Sequence, residues 1–263
     1  MPSPRVAIYL VACAFAVACE KPSSQSAPPP PAADPPAASW ASQPPAQWPQ
    51  LVLTNATKFK SHSSLNGASS FLVRSADGGV VAATALHLIG ANGGVEPTIA
   101  PEEFPAALVS WNMFPRTKPT NAVVISGLGC KLPLKKNVDW LILTLAGYGT
   151  NLPSTPLTMR ARPVTVGENI FLVGVPYSEP DRVQNVYRGR VTARAFGDRF
   201  RYTVEPPVNI RGFSGAPILD EHGLVVGVMT VWFDPKMEGE NFLEAGGEDA
   251  AAAIEAMGAS SAR

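Results

Sequence analysis

Gly212-Phe-Ser-Gly-Ala-Pro-Ile-Leu219 sets a serine between two glycines at the head of a short apolar run. A serine hydroxyl is a poor nucleophile at neutral pH unless a base takes its proton and a third group orients that base. Ser214 therefore directs attention to histidines and carboxylates placed for burial. Upstream, Val80-Val-Ala-Ala-Thr-Ala-Leu-His87 closes an apolar run with a histidine. Between the two, Asn137-Val-Asp-Trp-Leu-Ile-Leu143 puts Asp139 at the mouth of another apolar run, where it can be buried against an imidazole. Of the three histidines, His62 lies in a serine-rich stretch and His222 in the turn-like Asp220-Glu-His-Gly223, which leaves His87 as the one placed beside a buried carboxylate. The expected catalytic set is His87, Asp139 and Ser214, with 52 residues from the first to the second and 75 from the second to the third. Glycine before the nucleophile lets backbone amides approach a developing oxyanion with no Cβ in the way, so the amides of Gly212 and Ser214 are the expected oxyanion hole. A tight turn between strands would ask for the same glycines.

From Leu51 onward, short apolar runs alternate with Gly, Pro, Asn and Asp, the spacing of an all-β barrel or sandwich. Strands are expected over residues 51–57, 69–74, 80–85, 107–111, 122–126, 140–145, 169–175, 186–193, 200–204, 217–219 and 224–232. Ala76-Asp-Gly-Gly79 and Asp220-Glu-His-Gly223 carry the turn chemistry of hairpins. Glu248-Asp-Ala-Ala-Ala-Ala-Ile-Glu-Ala-Met257 combines strong helix formers with acids at its start, which predicts a C-terminal helix from Glu248.

Taken in order, these blocks resemble the trypsin-like (chymotrypsin-fold) serine peptidases, especially the disulfide-free bacterial branch that includes the Deg-type proteases, over about residues 65–233. Gly67-Ala-Ser-Ser-Phe-Leu-Val73 is similar to the family's first core strand, and Val166-Gly-Glu-Asn-Ile-Phe-Leu-Val-Gly-Val-Pro176 to the opening of its second barrel. The resemblance implies an all-β fold of two six-stranded antiparallel barrels with a short C-terminal helix. It also implies a serine endopeptidase that works through an acyl-enzyme on protein or peptide substrates, without a cofactor. By the same resemblance Val208 stands at the base of the primary specificity pocket and Arg211 at its rim. Thr230 and Trp232 lie on the strand edge that pairs with substrate backbone.

Val208 offers no carboxylate to a basic substrate side chain, so cleavage after Lys or Arg is not expected and a modest apolar side chain is. Phe213 replaces the aspartate that pairs with a newly cut N-terminus in digestive and clotting relatives, and the asparagine usual in bacterial ones. An apolar ring cannot make that ion pair, so activation by N-terminal cleavage is not expected. Ala216 replaces a frequent glycine, and the bulk of Trp232 would narrow the cleft. These three departures support the alternative, a catalytically impaired domain serving as a protein-binding or scaffold module. An α/β-hydrolase is excluded because its histidine follows the nucleophile, whereas here it comes first.

Composition narrows the setting. With 21 acidic and 21 basic residues among 263, formal net charge is zero and no electrostatic footprint for nucleic acid exists. The length and 46% apolar content are enough for a sizeable core in one globular unit. After Arg5, Val6 to Ala18 run apolar for 13 residues, too short to span a bilayer and suited to a secretory signal, expected over residues 1–18. Ala16-Val-Ala-Cys19 resembles a bacterial lipobox, which makes Cys19 the expected lipidated N-terminus and a membrane the expected partner; plain cleavage after Ala18 is the alternative. Residues 20–50 hold ten of the 27 prolines, and residues 19–50 read as a Pro/Ala-rich disordered tether, with Trp40 and Trp48 able to dock on the domain over 51–263. Cys13 falls in the leader and Cys19 at its cleavage point, where it would carry the lipid, so Cys130 has no intrachain disulfide partner in the mature fold and reads as a small buried hydrophobe. The histidines show no clustered ligand spacing, and no metal site is expected. The oligomeric state is not legible.

Overall fold

In the computed structural model, residues 34–258 are described apart from 131, 133, 135–136 and 231–236. The expected leader over 1–18, Cys19 and Trp232 therefore lie outside the described residues. The first barrel is built from β1 (Leu53–Phe59), β2 (Asn66–Arg74), β3 (Val80–Ala85), β4 (Leu108–Phe114), β5 (Val123–Leu128) and β6 (Trp140–Leu145), closed in the order β1-β2-β3-β6-β5-β4. A one-turn helix α1 (Phe104–Ala107) precedes β4. The second barrel uses β7 (Asn169–Gly174), β8 (Asn185–Arg194), β9 (Arg199–Glu205), β10 (Pro217–Leu219) and β11 (Val225–Thr230). A small hairpin of β12 (Met237–Glu238) and β13 (Asn241–Phe242) follows, and β14 (Ala245–Asp249) closes the second barrel in the order β10-β11-β14-β9-β8-β7. A C-terminal helix α2 (Ala250–Gly258) ends the described residues, so the all-β fold of two six-stranded antiparallel barrels and a short terminal helix is present.

Closure removes the sheet edges that would otherwise expose unpaired backbone. Along β1 buried and less buried residues alternate, as the two-residue strand period requires. In β2, β6 and β11 the buried runs are continuous, because both strand faces are covered. One face fills a barrel and the other meets the opposite barrel. Three apolar clusters result: one inside each barrel, and a third containing Phe71, Val73, Trp140, Ile142, Val173 and Val228. The third cluster draws on both barrels and on Ala250 and Ala253 of α2. Fully burying one such large side chain contributes about 1.5–3 kcal/mol, so this shared cluster is what holds the cleft between the barrels in register.

Two local expectations are corrected. The helix expected from Glu248 begins at Ala250, because Ala245–Asp249 are taken into β14 between β9 and β11. Gly247 permits this: a Cβ there would stand 2.6 Å from the Phe200 ring. Strand pairing and burial outweigh the helix preference of the tail. His87 does not end a strand but sits in a 3-10 turn, Leu86–Ile89, immediately after β3.

Residues 34–50, within the stretch read as a tether, lie along the second barrel. Trp48 is buried between Trp40 and Phe171, edge to face at 5.0 and 5.1 Å. The Ala38 amide donates to the His222 carbonyl at 2.8 Å, and Asp34 pairs with Arg162 at 3.2 Å. Both turns read from sequence are present with glycine at positive φ, Gly78 at 84° and Gly223 at 75°; Gly223 also makes room for Trp40.

Candidate active site

His87 is gripped by Asp139 at two points. Asp139 Oδ2 lies 2.8 Å from His87 Nδ1, and Oδ1 accepts the His87 backbone amide at 2.8 Å. The Leu86 amide donates to the Asp139 carbonyl at 2.6 Å, which ties the 3-10 turn to the entrance of β6. Asn137, at φ 69°, turns the chain so that Asp139 arrives there. A carboxylate on Nδ1 places the proton on that nitrogen and leaves Nε2 to act as a base.

Ser214 occupies a tight turn before β10. Gly212 has φ 99° and Gly215 φ 84°, both disfavoured for residues with a Cβ. Gly215 has a second reason to be glycine: a Cβ there would lie 2.2 Å from Thr84 Oγ1 and 2.3 Å from the Ser69 carbonyl. Close approach lets the first barrel clasp the turn, the Ser69 amide donating to the Ser214 carbonyl at 2.9 Å and the Ser69 hydroxyl to the Gly212 carbonyl at 2.8 Å. Phe213 follows Gly212 in this turn. It is wholly buried in the second barrel, 5.8 Å from the Tyr187 ring and against Gly174, where a Cβ would stand 2.3 Å from it. An apolar plug thus anchors the turn without an ion pair. Ala216 is buried and keeps a negative φ, so its methyl is accommodated.

His87 and Ser214 line one cavity of about 460 Å³, together with Leu65, Tyr177, Arg211, Gly212 and Phe242. No hydrogen bond joins the imidazole to the Ser214 hydroxyl among the described residues, an open geometry that commonly tightens only around substrate. The Arg211 carbonyl accepts from the Tyr177 amide at 3.3 Å, which in a trans peptide sends the Gly212 N–H the opposite way. Neither that N–H nor the Ser214 amide has an acceptor among the described residues.

Of the residues expected around the substrate, Arg211 lines the cavity; Val208 and Thr230 do not. The Val208 carbonyl instead receives the Phe242 amide at 3.0 Å, and the Thr230 side chain is fully buried where β11 pairs with Gly246. The other histidines have structural places: His62 Nδ1 lies 2.7 Å from the Pro97 carbonyl, and His222 sits in the turn capped by Asp220 Oδ1. Cys130 is a free thiol whose ionisation is pushed up by burial.

Sequence reading missed three groups. Ser69 is the stitch between barrels, inside a block recognised only as a strand. Tyr177 walls the cavity, its hydroxyl accepting from the Ala68 amide at 2.9 Å. Glu248, 2% exposed on β14, accepts the Asp139 amide on Oε2 at 2.6 Å. Burial pushes the Glu248 carboxyl up to about 8, the Asp139 amide opposing and the Asp139 charge reinforcing that rise. A Glu in a stretch that reads as the start of a helix gave no signal of this role.

A single-chain fold of two barrels with a histidine–carboxylate pair and a serine turn in one cleft defines a class of protein, the trypsin-like peptidases. The chain belongs to this class, the trypsin-like peptidase domain family matching residues 46–228. Among solved structures, the Rv3671c protease from M. tuberculosis in its active form gives a TM-score of 0.52 at 16% identity, over 81% of this chain and 82% of that one. The HtrA-type protease AlgW with tripeptide gives 0.55 at 19% identity, over 81% of this chain and 61% of that one. The serine endoprotease from Yersinia pestis gives 0.51 at 16% identity, over 80% and 62%, so this chain spans under two thirds of the last two. At such identities the likeness concerns the fold. A comparison with curated proteins found no match.

Proposed function

We propose that the chain is a serine endopeptidase in which His87, Asp139 and Ser214 form the catalytic triad. The observation that carries this reading is the double grip of Asp139 on His87 in the cavity that Ser214 lines. Nε2 of His87 takes the Ser214 proton as the hydroxyl attacks the scissile carbonyl, and Asp139 stabilises the imidazolium that forms. The amides of Gly212 and Ser214 receive the oxyanion. Collapse expels the amine with the proton from His87 and leaves an acyl-enzyme on Ser214. A water, deprotonated by the same imidazole, then releases the acid and restores the serine.

The enzyme acts outside the cytoplasm, held to a membrane by a lipid on Cys19. The apolar leader and the lipobox-like Ala16-Val-Ala-Cys19 support this location.

Hydrolysis of quenched-fluorescent peptides tests the catalytic reading. Ser214→Ala and His87→Ala are each expected to lower kcat by about 10³-fold or more with the fold intact by circular dichroism. Equal turnover by either variant would remove the triad assignment.

A further inference from the structure

The cavity that holds His87 and Ser214 shares a wall with a smaller one. Ala68, Tyr177 and Gly212 line both, and Arg116 borders the smaller. Tyr177, 50% exposed, is the partition. Its hydroxyl is fixed by the Ala68 amide, its own amide donates to the Arg211 carbonyl, and a Cβ on Gly67 or Gly212 would meet its ring at 3.1 or 3.0 Å.

Arg116 lies over this ring, its guanidinium carbon 5.6 Å from the centroid, and donates Nη1 to the Pro176 carbonyl at 2.9 Å. The guanidinium is thus held in place by an aromatic face and a neutral oxygen, and pairs with no carboxylate among the described residues. Arg211, exposed on the other side of the wall, forms no ion pair among them either. Neither cavity has an Asp or Glu in its described lining; Glu179, whose amide shares the Pro176 carbonyl with Arg116, pairs with Arg182, and Asp139 is committed to His87. Elsewhere Arg160, Arg162, Arg182, Arg194 and Arg201 each have a carboxylate partner, while Arg74, Arg188 and Arg190 form no ion pair among the described residues but line neither cavity. In a chain of zero net charge, two guanidinium groups without a carboxylate partner among the described residues border these adjoining cavities, Arg211 the one that Ser214 lines and Arg116 its neighbour. One of them is pre-oriented, which lowers the entropy lost when its planar fork meets a carboxylate.

We infer that this cleft selects peptides bearing an acidic side chain within a few residues of the scissile bond, read by Arg116 across the Tyr177 wall and by Arg211 at the mouth. The inference rests on the peptidase reading and adds the substrate class to it.

The test is a set of C-terminally amidated quenched-fluorescent peptides, identical except that Glu or Gln is scanned through the positions on both sides of the cleaved bond. At one or two positions Glu is expected to raise kcat/KM about five- to tenfold over Gln, a gain that shrinks as salt is raised. Arg116→Gln is expected to abolish the preference at one position and Arg211→Gln at another. An enzyme that cleaves the Gln peptides with a Glu-to-Gln ratio near one everywhere overturns the inference and leaves the peptidase reading standing. A preference seen only in free-acid versions overturns it in favour of a terminal carboxylate. A protein that cleaves none of the peptides and takes up no fluorophosphonate overturns both readings.

Discussion

Asp139 meets His87 through both its oxygens and offers its own amide to Glu248, so a single residue joins His87 to the second barrel. Asp139→Asn keeps the shape but hands Nδ1 a donor in place of an acceptor, and is expected to cut kcat by about 10³- to 10⁴-fold with little change in KM. Steady-state kinetics check this; a loss confined to KM would contradict the role. Glu248 makes a separate, pH-dependent contribution. Its carboxyl is raised from 4.5 to about 8, so the folded protein holds a proton that the unfolded chain releases between those values. This group therefore costs stability as pH rises from about 4.5 to about 8, and no more beyond. Glu248→Gln keeps the acceptor and cannot ionise. Its melting temperature is expected to gain on that of the native protein across this window and to run parallel above it. A gap that stays constant with pH would show that Glu248 is not titrating there.

At the level of elements, the Ser214 turn depends on what stands behind it. Phe213→Ala removes a fully buried ring and is expected to destabilise the protein by about 3–5 kcal/mol in denaturant unfolding, with fluorophosphonate labelling of Ser214 falling in parallel. A loss below about 1 kcal/mol would mean that the turn is anchored elsewhere. The strap over 34–50 is a second such element. Trp48→Ala is expected to open this segment to proteolysis while the barrels stay resistant, since Trp48 joins it to Phe171. Cleavage of the strap at the same rate in both proteins would contradict that.

What was legible follows the same division. Val80–Ala85 and Trp140–Leu145 announce themselves because a strand buried on both faces is apolar at nearly every position, a single threonine interrupting each. The turn at Gly212 and Gly215 announces itself because only glycine tolerates its φ. Strand β14 was hidden, because Gly246-Gly247-Glu248-Asp249 has weak strand preference and is held in place by partners far away in sequence. Tyr177 and Ser69 were hidden likewise, their roles arising only where the two barrels meet. Val208 and Thr230 were placed by resemblance; the Val208 carbonyl accepts the Phe242 amide and the Thr230 side chain is buried.

On the scale of the whole molecule, two closed barrels share an apolar cluster and leave a cleft whose walls come from both. Attachment at Cys19 is tested by expressing Cys19→Ser, which is expected to move the protein from the membrane to the soluble fraction and to remove globomycin-sensitive processing. Unchanged membrane association would count against a lipid there. The central claim is that His87 activates Ser214 across this cleft. Intact-mass analysis after treatment with a fluorophosphonate at pH 8 bears on it most directly. One adduct, mapped to Ser214 and absent from His87→Ala, is the expected result; well-folded protein that remains unmodified would contradict it.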